Sequence, residues 1–449
     1  MDVDKIKIYE ENHSYWQYKG KPILLRGASD EDNLFQWTDE TLIEHLDLLL
    51  SVGGNYVRNT MSDRDPGNVY AFKQINDNLY DLNQWNDEYW QRLEFFLKET
   101  KSRDIIIQLT LWDQHDLNAW ATHPWNPKCN VNIDERTLQN SDAFFQTVTT
   151  GNTEVLNYQN QYIDKLLSMT LEYDHILYNI NNESWAGIDW ENYWAKKIHA
   201  AVDERNESVE ITTMHMYPAS SVRACLHYRN LYSFIDISQI NQDSKGQKGQ
   251  RHWDELMRYR NVVQTAGLMP LNNEKIYGSQ ANISPKIVTY NTSAGLKKEA
   301  IQRFWRDVFG GCASVRFHRP TDAFWGIGLS EEAMASIKSL TLLLEQLDVF
   351  QCTPNNGLLN DRNENEAYCM ANIGDQYAVY FPEDGSVELD HWIYGESMNL
   401  MWLNIDEQKW LEAESVKVEW ETVEHEYKFK GRVRLTTPGS GSWVALLSM

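Results

Sequence analysis

Two glutamates stand at the ends of short apolar runs. The segment His175-Ile-Leu-Tyr-Asn-Ile-Asn-Asn-Glu-Ser-Trp185 stops at two asparagines and Glu183, and Met269-Pro-Leu-Asn-Asn-Glu-Lys-Ile-Tyr277 places Glu274 in the same way. A buried strand that delivers an unpaired carboxylate is costly unless the group has a partner or a task. In parallel α/β proteins active sites are built at the C-terminal ends of strands. Two such carboxylates point to paired-carboxylate chemistry, of which glycoside hydrolysis is the leading example. Glu183 would be the general acid/base, in surroundings that raise its pKa so that it holds a proton at working pH. Asn182 beside it can hydrogen-bond a sugar 2-hydroxyl. Glu274 would be the nucleophile, with the carboxylates about 5–5.5 Å apart as in retaining enzymes. The plainer readings are a helix N-terminal glutamate for Glu183 and a surface glutamate paired with Lys275 for Glu274.

The elements that must position these groups alternate. Apolar runs at Ile23–Ala28, Asn55–Thr60, Asp104–Trp112, His175–Asn182, Val209–Tyr217, Ser233–Ile240, the segment ending at Glu274, and Ala313–His318 read as strands. Helical spacing lies between most of them, as at 39–51, 86–103, 153–173, 189–205, 252–266 and 296–309. Eight strand–helix units match a (β/α)8 TIM barrel over residues 23–350. A doubly wound open sheet is the alternative, without its Gly-rich phosphate turn. Residues 1–22 read as a β-hairpin closing the barrel's N-terminal face. From 351 to 449, short alternating runs read as a small antiparallel β-sandwich. Pro382-Glu-Asp-Gly385 and Pro438-Gly-Ser-Gly441 read as hairpin-type turns within it.

Other strand ends supply candidate substrate-binding residues. Arg58 and Asn59 end the second strand, and Trp112, Asp113 and His115 the third. Trp185 follows the fourth, and His215 and Tyr217 would face one side of the fifth. Gln239 and Asn241 follow the sixth, Tyr277 the seventh, and His318, Arg319 and Trp325 the eighth. For Arg58 a buried ion pair in the barrel floor is the other reading, and for His215 a satisfied core histidine. Arg58, His318, Arg319 and Lys245 in an otherwise acidic chain hint at a sulfated or uronate-bearing substrate.

Composition sets the outer bounds. The net charge of −24, from 65 acidic and 41 basic residues, argues against nucleic acid and anionic membrane as partners. With 18 Trp and 23 Tyr the chain has more aromatic rings than loops ordinarily carry, and indole packs well on the flat C–H faces of a pyranose. The five cysteines are unpatterned and read as free, mostly buried thiols. There is no apolar run long enough to span a membrane. The N-terminus is polar and is no signal peptide, so the expected compartment is cytoplasmic, or periplasmic or extracellular if a signal was removed. No HExxH, P-loop or GxSxG occurs, and no cofactor is expected.

Carboxylates after strands four and seven, with Asn182-Glu183 at the first, resemble the clan A retaining glycoside hydrolases. Pro270-Leu-Asn-Asn-Glu-Lys-Ile-Tyr-Gly278 is similar to the nucleophile strand of family-five-like members. Tyr377-Ala-Val-Tyr-Phe-Pro382 and Thr436-Thr-Pro-Gly-Ser-Gly-Ser-Trp443 resemble the β-sandwich that often follows such barrels. The resemblance implies Glu183 as acid/base, Glu274 as nucleophile and Arg58 as the arginine that keeps the nucleophile ionised. It departs at strand eight, where the clan commonly has a Trp and this chain has His318-Arg319. The expected activity is retaining cleavage of β-glycosidic bonds in a plant or algal polysaccharide or its oligosaccharides. The alternatives are a non-catalytic carbohydrate-binding protein on a degenerate barrel, or a transglycosylase using the same carboxylates.

Overall fold

The computed structural model describes residues 4–205, 207–240, 250–278, 296–319, 326–392, 395–422 and 429–448. Eight parallel strands carry the site: Leu25–Ser29, Tyr56–Thr60, Ile106–Asp113, Ile176–Asn182, Glu210–Thr212, Ile235–Asp236, Leu271–Ile276 and Ser314–His318, numbered one to eight below. They pair in the order five-four-three-two-one-eight-seven-six. Strands five and six are shorter than the apolar runs predict. The ring closes between them through the Ser233 N–H on the Ile211 carbonyl at 2.9 Å and the Asp236 N–H on the Thr212 hydroxyl at 3.3 Å. The architecture is the (β/α)8 barrel the alternation predicts.

The interior of the barrel is polar below the site. Gln108 donates to Asp236 at 2.7 Å and accepts from the Tyr56 hydroxyl at 2.7 Å and the Asn272 amide at 2.9 Å. Trp16 reaches Asn272 from beneath, its indole N–H donating at 3.0 Å. It comes from a three-stranded sheet, Lys7–Ile8, Trp16–Tyr18 and Lys21–Ile23, where the sequence predicts a two-stranded hairpin. The sheet packs at the N-terminal ends of the strands: the Ile6 N–H donates to the Asp174 carbonyl, and Trp16 meets Phe234 edge-on. One further hairpin, Phe72–Asn76 with Leu79–Trp85, was not anticipated; it turns at Asn78, whose φ is 59°.

Beyond the helix Glu331–Leu344 two antiparallel sheets face each other. Gln376–Phe381 shows why both faces of its strand are apolar. Tyr377, Val379 and Phe381 enter the core between the sheets, while Ala378 and Tyr380 pack towards the barrel. Tyr380 stacks on Trp305 of the barrel helix Leu296–Phe309. The turns at 382–385 and 438–441 are not hairpins. Each leaves one sheet and enters the other, because Gln376–Phe381 and Trp443–Ser448 share a sheet while Ser386–His391 and Phe429–Thr436 share the opposite one. All five cysteines are buried and unpaired, and no described helix is long and apolar enough to cross a membrane.

Gly27 tests the register of strands one and two. It pairs with Tyr56, and a Cβ there would stand 1.8 Å from the Tyr56 carbonyl oxygen. Gly27→Ala is expected to cost at least ~2 kcal/mol in urea unfolding. An unchanged midpoint would contradict this close approach.

Candidate active site

Arg58, fully buried on strand two, is where the C-terminal ends of four strands meet. Its Nη1 lies 2.9 Å from Oδ1 of Asp32, just past strand one, and its Nη2 donates to the Asn182 side-chain oxygen at 2.8 Å on strand four. Its Nε stands 3.0 Å from Glu274 Oε1 on strand seven. Asp32 collects two more guanidinium groups, Arg64 at 2.6 Å and Arg319, and the imidazole of His318 at 3.0 Å. Burial alone would raise the Asp32 carboxyl, but Arg58, His318, Arg319 and Arg64 outweigh it and hold it well below the usual range.

Glu183 follows strand four in a left-handed conformation, with φ 52°, which an L-residue adopts at a cost. Its neighbour Ser184 is tied by its N–H to the Met214 carbonyl at 2.8 Å. Both oxygens of Glu183 meet nitrogen: Lys275 Nζ at 2.6 Å from Oε1 and His115 Nε2 at 2.8 Å from Oε2. Burial pushes this carboxyl up, but Lys275 and His115 overcome it, and the pKa falls well below normal. This corrects the expectation that the environment would raise it.

Glu274 is completely buried, and burial pushes its carboxyl up to about 8 against the pull of Arg58, with Asp236 adding to the rise. Its Oε2 has no hydrogen-bond partner among the described residues. The reading of Glu274 as a surface glutamate paired with Lys275 is overturned. The register of strand seven shifts between Asn273 and Ile276, so the strand departs from regular alternation there, and both Glu274 and Lys275 are buried. Lys275 reaches strand four instead, donating to the Asn182 oxygen at 2.6 Å as well as to Glu183.

The Asn182 amide is therefore oriented by its partners: its oxygen accepts from two cations while its nitrogen donates to Asp113 at 2.8 Å. Asp113 also pairs with Arg64 at 2.5 Å and accepts the His115 N–H at 3.0 Å. At the rim, Trp185 is 61% exposed and sits edge-on to His115, and its N–H donates to Gln114 at 2.6 Å.

The other candidates divide. Tyr277 lies buried with its ring edge-on to His318, close to this cluster. His318 is fully buried behind Arg58 and Asp32. Its Nδ1 accepts from Arg316 at 2.8 Å, so its proton is on Nε2, and burial together with Arg316 holds it neutral. Asn59 accepts the Phe35 N–H at 2.9 Å and belongs to packing outside the cleft. Trp112 packs among Phe144, Tyr162, Trp190 and Trp194. Gln239 is buried against Met214. His215 and Tyr217 do not act as a pair on one strand face: His215 Nε2 turns to buried Glu191 at 2.9 Å, whereas Tyr217 is 64% exposed ahead of the helix Pro218–His227. Asn241, Lys245 and Trp325 lie outside the described residues. Sequence reasoning missed Asp32 and Arg64, which carry no spacing signal, and assigned Lys275 no place in the site.

Among the described residues one group, Asp63, Asp116 and His123, has donor atoms close enough for a metal ion. His123 Nδ1 accepts the Trp125 N–H at 3.2 Å, so its ring proton sits on Nε2, 2.9 Å from Asp116 Oδ2. Burial and Asp116 push the Asp63 carboxyl well up. The imidazole of this group has both ring nitrogens engaged, one by Asp116 and one by the Trp125 N–H.

No family model and no curated protein matches the chain. Solved structures do. A glycoside hydrolase family 5 structure from Bacteroides vulgatus ATCC 8482 superposes with a TM-score of 0.68 at 14% identity, over 100% of this chain and 94% of its own. A family 5 mannosidase mutant from Rhizomucor miehei, in complex with mannosyl-fructose, gives 0.53 at 11% identity, over 78% and 99%. A noncanonic maltogenic α-amylase from Thermotoga neapolitana gives 0.52 at 10% identity, over 95% and 99%. At these identities the likeness establishes the fold, a family-5-like barrel followed by a sandwich, and leaves the reaction to the site.

Arg58 provides the first test of that site. Arg58→Met leaves Asp32 and Glu274 buried without their central cation and is expected to cost about 3–5 kcal/mol in urea unfolding. A loss below ~1 kcal/mol would contradict its role as the common partner.

Proposed function

We propose that the chain is a retaining glycoside hydrolase that cleaves β-glycosidic bonds of a plant or algal polysaccharide or its oligosaccharides. The observation that carries this reading is the pair of carboxylates from strands four and seven, joined through Arg58, Asn182 and Lys275 at one end of the barrel. Glu274 attacks the anomeric carbon while the leaving oxygen takes a proton through Glu183. Glu183 then removes a proton from the water that releases the sugar. Arg58 steadies the ionised nucleophile, and the remaining Asn182 N–H is available to a 2-hydroxyl. Trp185 and His115 at the rim offer an aromatic face and a polar edge to a neighbouring sugar. Asp113, Arg319 and Tyr277 shape the floor.

One observation favours a second reading, a carbohydrate-binding protein on a degenerate barrel: Glu274 is fully buried and both Glu183 oxygens are occupied. A screen of polysaccharides and aryl glycosides separates the two. Glu183→Gln is expected to lose about 10²–10⁴-fold in turnover of unactivated glycosides, and Glu274→Gln all detectable turnover. Activity surviving in Glu274→Gln would remove it as nucleophile, and binding without turnover by the unaltered protein would favour the second reading. Transfer to added acceptor sugars would mark a transglycosylase with the same site.

The pH dependence follows from Glu274. The nucleophile must be ionised, and its carboxyl is pushed up to about 8. In the free enzyme kcat/KM is therefore expected to rise with pH through about 8, and a profile already flat from pH 5 to 9 would contradict that.

A further inference from the structure

The proposed acid/base carboxylate is met at both oxygens by nitrogen, and one of the two partners is an ammonium that can only donate. Strand seven departs from regular register immediately beside the proposed nucleophile, and the residue after it reaches across to Asn182 and Glu183. A barrel needs no lysine there, and a cation in this position opposes an oxocarbenium-like transition state unless its charge is balanced.

Resting on the glycosidase reading, we propose that Lys275 holds the proton that Glu183 delivers. At rest the pair is Lys275 ammonium and Glu183 carboxylate. When a sugar covers the mouth and excludes water, the ion pair becomes more costly than the neutral pair, and the proton passes from Nζ to Glu183. Glu183 then gives it to the leaving oxygen as the glycosidic C–O bond breaks and the Glu274 ester bond forms. Lys275 is left as a neutral amine. In the second step water attacks the anomeric carbon, the ester bond to Glu274 breaks, and the water's proton goes to Glu183 and returns to Lys275. Protons and charge balance over the cycle without another reactant, and the cation beside the transition state disappears when it would do harm.

The surrounding groups are compatible with this exchange. Facing the pair are His115 from the loop after strand three, Asn182 from strand four, and Arg58 from strand two, with Asp32 and Asp113 behind. Beyond Ser184 stand His215 and Glu191, paired with one another. Burial pulls the Lys275 ammonium below its ordinary range and Glu183 opposes the fall. The same arrangement reconciles an ionised Glu183 with a nucleophile that ionises only near pH 8.

Arginine separates a proton carrier from a simple cation, because its guanidinium keeps its proton under all working conditions. The experiment compares Lys275→Arg and Lys275→Met on dinitrophenyl glycosides, whose leaving group needs no protonation, and on unactivated glycosides of the same sugar. The expected result is a loss of about 10²-fold or more by both variants on the unactivated substrates, with Lys275→Arg within about 5-fold on rates of glycosyl-enzyme formation from the activated ones. The alkaline limb of kcat/KM should also move in both. Lys275→Arg restoring the unactivated rate would overturn the proposal, whereas retained activity in Glu183→Gln and Glu274→Gln would instead remove the reading beneath it. A measurement independent of turnover is ¹³C-carboxyl NMR titration, with Glu183 assigned by its absence in Glu183→Gln. Lys275→Met should raise the Glu183 midpoint by more than about one unit, and an unmoved midpoint would overturn the proposal even if no substrate is found.

Discussion

A single buried guanidinium sets the geometry of the barrel mouth. Arg58 touches Asp32 after strand one, Asn182 on strand four and Glu274 on strand seven from its own place on strand two. Buried charges persist only where partners repay their desolvation, so each of these carboxylates constrains the others through it. Asp32 then recruits Arg64, His318 and Arg319. The site is a closed ionic network laid across the ends of strands, and small displacements of any one strand would be felt at both glutamates.

The scaffold braces this network from below and from the side. Beneath it, the hydrogen-bonded layer of Gln108, Asp236 and Asn272 is plugged by Trp16. To the side, Arg303 donates to the carbonyls of Tyr277 and Gly278, fixing the chain just past Lys275. Glu299 joins Arg303 to Arg306, and Arg306 donates to Asn365 of the C-terminal region at 2.8 Å. The sandwich is thus connected to strand seven by three buried charges. Two irregular features lie at the site itself, the positive φ of Glu183 and the register shift beside Glu274. Such departures at a strand end re-aim the side chains that stand there.

The large features were legible because they are periodic. Apolar runs alternating with helical spacing revealed eight strands, and the counting put Glu183 on the fourth and Glu274 on the seventh. Arg58 was legible as a strand-end cation beside the nucleophile, though its partners Asp32 and Asn182 were not. Lys275 was not legible as a site residue because regular alternation turns neighbouring residues to opposite faces, and a bulge cancels that rule without a mark in composition. Asp32 stands in an acidic stretch, Ser29-Asp-Glu-Asp-Asn33, where nothing distinguishes the one carboxylate that three arginines and a histidine share. Trp112 and Asn59 show the converse error: strand-end residues of the right type that packing turns elsewhere. The turns at 382–385 and 438–441 have hairpin composition, but which sheet receives the next strand is decided by long-range burial.

The covalent bond proposed between Glu274 and the sugar can be trapped directly. Activated 2-deoxy-2-fluoro glycosides slow the release step more than the attack and so accumulate the glycosyl-enzyme. Intact-mass and peptide analysis after incubation with a panel of them should show one sugar added, on the peptide containing Glu274. A label on Glu183, or turnover of the parent glycosides with inverted products and no label, would contradict Glu274 as the nucleophile.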